Sequence, residues 1–256
     1  MQAFQQGHRI FETARKRGDS VVDLIMKQFK YYLLLIASFF SGVVMNSCIE
    51  EEEEEADQPE EYVDPHEYVD LGLPSGLKWA TENVGALKPE EIGGYFSWGD
   101  VEEKDSYYWG MSDEIDKGWS VLMLLGIIDS LGNLCYSHDA ASVNWGGLWR
   151  TPTETEFKEL VDYCDWRWTS VNGINGYMVS SKAKDNHNSI FLPAGGRRVS
   201  SGSPIEYNEQ GTYWCANMSD RHLSLYSTTF YFDKDSKRLG KVSLHYVGQL
   251  IRPVIE

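Results

Sequence analysis

Few residues in this 256-residue chain are grouped in a way that reaction chemistry would use. His66, His138, His187, His222 and His245 are scattered, and no two stand four apart as a helical zinc pair would. No nucleophile elbow, phosphate loop or dinucleotide fingerprint is present. Asp233-Lys234-Asp235-Ser236-Lys237 has the alternating acids of a calcium loop. It lacks the central glycine and the closing glutamate, so it reads as a hairpin turn. Asp139 and Asn144 flank Trp145-Gly146-Gly147 and are candidate ligands for an ion or a glycan. The competing reading has them bonding the backbone of a loop-rich region. Nine tryptophans are the stronger signal, because an indole face stacks on a sugar ring as well as on a core neighbour. Trp109, Trp119, Trp166 and Trp168 are the candidate ligand-binding tryptophans. No catalytic residue, metal ligand or cofactor is expected, and the sequence reads as a binding module rather than an enzyme.

The net charge of −16 is unevenly spread. Residues 49–68 carry eleven acids and no base, whereas residues 69–256 carry 25 acids and 17 bases, a net −8. No segment offers the basic face that a nucleic acid requires, so no nucleic-acid partner is expected.

Within residues 26–48, Lys27 and Lys30 precede an uncharged apolar run from Tyr31 to Met45. Small and polar residues then lead to Cys48. That order reads as a secretory signal, and the run is short for a membrane-spanning helix. A signal-anchor helix is the alternative. The arrangement resembles a bacterial lipoprotein signal, which implies lipid attachment at Cys48, although Met45-Asn46-Ser47 replaces the usual Leu-Ala-Gly. Residues 1–25 are read as a non-native or extended N-terminus, with translation starting at Met26; an unusually long n-region is the alternative. Glu50 to Glu55 opens the acidic stretch 49–68, which reads as an extended, disordered tether. Acids directly after a lipidated cysteine also resemble the export signal of surface lipoproteins of Bacteroidetes-type bacteria. The expected location is the outer membrane at the cell surface.

The elements that follow are short. Val69-Asp70-Leu71 and Leu77-Lys78-Trp79-Ala80 flank a Pro74 turn and form an opening hairpin. Pro89-Glu90-Glu91-Ile92 is expected as a single helical turn. Trp119 to Ile128 is uncharged and is expected as a buried helix or a core-packed insertion; an exposed apolar patch is the minority reading. Thr153 to Cys164 is the best helix, with Phe157, Leu160, Val161 and Cys164 on one stripe and a capping box at Thr153-Glu154-Thr155-Glu156. Strands are expected at 176–180, 189–193, 212–216, 223–232, 240–246 and 249–254. Helix early and strands late indicate an α+β fold.

Stretches covering nearly all of 68–254, in order, resemble the Fibrobacter succinogenes major paralogous domain. They are Tyr68–Thr81 (YVDLGLPSGLKWAT), Asn83–Ala86, Pro89–Glu91, Tyr95–Gly99 (YFSWG), Asp139–Ala141, Asn144–Thr153 (NWGGLWRTPT), Asn175–Tyr177, Ser189–Ala194 (SIFLPA), Tyr213-Trp214 and Ile251–Val254 (IRPV). The resemblance places one domain at 69–256. It implies an irregular C-type lectin-like fold, similar also to formylglycine-generating enzymes, with short antiparallel strands around one clear amphipathic helix. It implies that Trp79, Trp145, Trp149 and Trp214 are core anchors. Glu82 stands where many members have cysteine, and Cys215 replaces a serine. With Cys48 lipidated, at most one disulfide forms among Cys135, Cys164 and Cys215. The function expected is adhesion, or recognition of a glycan or protein at the cell surface. A structural component of a surface appendage and a formylglycine-generating-like enzyme are the alternatives.

Overall fold

The structure, a computed structural model, describes residues 64–110, 116–219 and 225–256. The signal, Cys48 and most of the acidic stretch lie outside the described residues. The chain divides into two units at Glu60/Glu61. The folded part of the second unit begins before residue 69. The His66 ring stacks on Trp145 at 3.7 Å, and Tyr68 already belongs to the first strand.

Among the described residues nine strands form three small antiparallel sheets. The first contains β1 (Tyr68–Asp70), β2 (Lys78–Ala80) and β9 (Val254–Ile255), so the first and last of these strands pair on either side of β2. The second is β3 (Cys164–Val171), β4 (Ile174–Ser181) and β5 (Ser189–Pro193). The third is β6 (Gln210–Met218), β7 (Tyr226–Asp233) and β8 (Lys237–Leu244). Three helices, α1 (Trp119–Leu124), α2 (Ala140–Trp145) and α3 (Glu154–Tyr163), complete an α+β domain.

The opening hairpin forms as the sequence indicates. Residues 88–91 do not make a helical turn: they close a single backbone turn from Glu91 N–H to Lys88 C=O. The strand β3 is absent from the expected list. Its residues alternate, with Asp165 and Arg167 exposed and Trp166 and Trp168 half-buried, which is the period of a one-sided strand. Asn172 and Gly173, both at positive φ, then make the two-residue turn into β4 that matches strand twist. Gly240, at φ +65, sits where the β7–β8 register shifts.

Helix α3 starts as its sequence dictates. The Thr153 hydroxyl accepts from Glu156 N–H, and the Glu156 carboxylate accepts from Thr153 N–H at 2.7 Å. The same carboxylate holds Arg150 bidentately at 2.7 and 2.9 Å. Phe157 and Leu160 point into a core with Trp79, Phe230 and Tyr213. A second core gathers Trp98, Trp145, Trp149 and Trp214 with Leu122, Ile127 and Ile128.

Two contacts bind the layers. The Trp98 indole N–H donates to Cys215 C=O at 3.0 Å, and the Trp214 indole N–H donates to Phe96 C=O at 2.7 Å. Arg252 is wholly buried. Its guanidinium donates to Asn83 Oδ1, Ala80 C=O, Thr81 C=O and Phe191 C=O at 2.6 to 3.0 Å, so it joins the first sheet to the second.

Thr153→Ala removes one half of the capping box. It is expected to lower unfolding free energy by about 1 kcal/mol in urea titration, with the native circular dichroism spectrum retained.

Candidate functional site

Two adjacent exposed aromatics stand on a surface built by the loop 100–110 and the segment after β8. Tyr107 fixes the loop. Its ring lies on Gly248, where an added Cβ would come within 2.8 Å of it, and its hydroxyl donates to Tyr95 C=O and accepts from Lys104 N–H. The next two residues, Tyr108 and Trp109, then face solvent, Trp109 with 59 % of its surface exposed. Tyr246 meets the Trp109 ring edge-on at 6.2 Å.

Arg198 belongs to the same face, because its backbone pairs with Gly248 in both directions. Its guanidinium lies 4.9 Å from the Tyr95 ring centre, and Nη1 stands 3.5 Å from the Glu103 carboxylate. Desolvation pushes the Tyr95 hydroxyl well above its ordinary range and raises that of Tyr107, so both stay neutral hydrogen-bonding groups. An exposed indole can hold a ring face, as of a sugar.

Beneath this face lies a buried polar layer. Ser227 Oγ is 2.9 Å from His245 Nε2, and His245 Nδ1 is 3.3 Å from the Asp116 carboxylate. Trp98 stacks on the imidazole at 4.8 Å. Thr229 Oγ1 is within hydrogen-bond distance of Tyr213 C=O (2.9 Å) and of Gln249 Oε1 (2.5 Å). The order serine–histidine–aspartate is that of a hydrolytic triad. Ser227 and His245 are both 0 % exposed, so the hydroxyl does not meet solvent, and here the array braces β7 to the segment after β8. Residues 116, 227 and 245 are too far apart in sequence for spacing to have shown the constellation.

The other sequence candidates are placed as follows. The Asp139 carboxylate is buried and consumed. It caps α2 through Ala141 N–H and Ser142 N–H and accepts from Thr151 N–H and Oγ1 at 2.8 and 2.7 Å. Burial pushes its pKa up, against those hydrogen bonds, which pull it down. Asn144 Nδ2 donates to Val101 C=O and Ala140 C=O. Both side chains therefore bond backbone groups, which removes Asp139 from the ligand set. The Trp119 ring lies across Gly132, where a Cβ would be 2.0 Å from it, so this residue is packing. Trp166 and Trp168 close the first core edge-on against Tyr177, Phe230 and Phe232, with Lys237 Nζ 5.6 Å above Trp166. Of the four candidate tryptophans, Trp109 alone is mostly exposed.

The sequence allows at most one disulfide, and among the described residues Cys135, Cys164 and Cys215 are all free thiols. Burial pushes Cys164 up to about 11 and holds Cys215 well above the ordinary thiol value. Among the described residues no group of three His, Cys, Asp or Glu side chains is placed to hold a metal.

No protein-family model, curated protein or solved structure matches the chain.

In native protein near neutral pH, iodoacetamide is expected to leave Cys164 and Cys215 unmodified, and a fluorophosphonate probe to leave Ser227 unmodified. Mass spectrometry should detect both thiols as alkylated once denaturant is added.

Proposed function

We propose that the chain is a surface lipoprotein, anchored through Cys48 in the outer membrane, whose folded unit is a C-type lectin-like binding domain of the Fibrobacter succinogenes major paralogous kind. The ligand is a glycan or a surface protein, and the contact is adhesive rather than catalytic. One observation carries the reading: Trp109 stands in solvent on a loop pinned by Tyr107 and braced by Tyr246. An aromatic of that size, left exposed on a fixed loop, is the usual anchor of an interface. The order of the motifs from Tyr68 to Val254 supports the family assignment.

The formylglycine-generating alternative needs an accessible thiol near the C-terminus, and Cys215 is buried in β6 with a raised pKa. The appendage alternative draws on the exposed apolar residues of α1.

Full-length protein on a mixed glycan and surface-protein array is expected to retain at least one ligand. Trp109→Ala should weaken that ligand by about thirtyfold, the scale of a hot-spot residue at about 2 kcal/mol. Trp168→Phe should leave it unchanged. An empty array, or equal binding by the Trp109 variant, would remove the proposal.

A further inference from the structure

The segment Gly118–Ile128 contains no charged residue. The sequence favours a buried helix there, and the structure does otherwise. Helix α1 is only six residues long and buries Leu122 alone. Val121, Leu124 and Leu125, spaced one helical turn apart, are exposed, with Met123 beside them and Leu124 at 84 %. Leu131, 76 % exposed, stands next to Gly132, which packs under the Trp119 ring at the start of the helix. A cluster of this kind on a secreted protein requires a partner.

The position of the chain's entry narrows what that partner is. Asp64, the first described residue, bonds the Trp149 indole N–H, and His66 stacks on Trp145. Both tryptophans belong to the second core, the same core that receives Leu122 from α1. Val143 and Leu148, close to that entry, are exposed too. The chain thus joins the domain on the half that carries these apolar residues. Fifteen residues lie between Cys48 and Asp64, a reach of at most about 55 Å at full extension. An acyl chain at Cys48 keeps this half within that distance of a bilayer, so weak apolar contacts act at high effective concentration.

We infer that α1 and the Leu131 turn form a lipid-docking surface, with Val121, Leu124, Leu125 and Leu131 inserting into the headgroup–acyl boundary of the membrane that holds the anchor. The inference rests on the lipid-anchor reading. The chemistry is that of a monotopic contact: apolar side chains preceded in sequence by a single exposed base, Lys117, suited to zwitterionic lipid rather than to an anionic surface. Among the described residues no helix is long and apolar enough to cross a membrane, in keeping with a contact that lies on the surface. Docking would hold the domain in one orientation on the membrane.

The test uses full-length lipidated protein reconstituted into phosphatidylcholine vesicles, in a Cys135→Ser background. Nitroxide labels are introduced by Leu124→Cys, by Leu131→Cys and, as a control on β8, by Val242→Cys. Labels at 124 and 131 should lose accessibility to an aqueous nickel chelate and gain accessibility to oxygen, while the label at 242 stays aqueous. Protein that is anchored but shows equal nickel accessibility at all three positions overturns the docking surface and leaves the anchor standing. Dipolar broadening between labels at 124, without oxygen accessibility, assigns the patch to a second copy of the chain and also overturns it. Protein that acquires no lipid and stays in the supernatant overturns the anchor and the inference together.

Discussion

A single buried guanidinium ties the first sheet to the second. Arg252 donates to the backbone of β2 and the residue after it, to Asn83 in the following turn and to β5. Among the described residues none of its hydrogen-bond acceptors is a carboxylate. Loss of water therefore lowers its pKa to about 10, even with the nearby charge of Glu82 and the Tyr213 hydroxyl favouring the cation. The opposite shift acts on Tyr213, pushed up to about 12 in the third sheet. Carbonyl dipoles stand in for a counter-ion. Such an arrangement holds only while the acceptors keep their places, so it penalises any rearrangement of the segments that supply them.

That constraint reaches the candidate site through the chain on the N-terminal side of Arg252. Leu250 lies beside β6, and Gln249 pairs with Phe96. Gly248 receives the Tyr107 ring and pairs with Arg198. Tyr246 and His245 follow, one bracing Trp109 and the other closing the Ser227–His245–Asp116 array. The exposed indole thus rests on a short, fully hydrogen-bonded strip of backbone anchored by the buried arginine. A binding residue set on such a strip loses little entropy when it meets a ligand.

The parts of this fold that a sequence shows are those fixed by local chemistry. The capping box at Thr153, the Asn172-Gly173 turn and the short apolar run of β5 each depend on neighbours a few residues away. Strand β3 was equally legible from the alternation of Asp165, Trp166, Arg167 and Trp168, but its tryptophans drew attention as ligand candidates instead. What distinguishes Trp109 from Trp119, Trp166 and Trp168 was not legible, because it depends on Gly132, Tyr177 and Lys237, which are distant in the chain. The same holds for Asp139, whose carboxylate is taken by Thr151, and for α1, whose exposure follows from its stopping after six residues.

Replacing the guanidinium by an apolar side chain of similar length tests its central place most directly. Arg252→Met keeps the volume and strands Asn83 Oδ1 and three carbonyl oxygens in the interior. Equilibrium unfolding in urea is expected to show a loss of about 4 kcal/mol, on the scale of breaking a buried charged network. Stability within about 1 kcal/mol of the parent would contradict the account, since substitutions away from such networks have effects of that size or less.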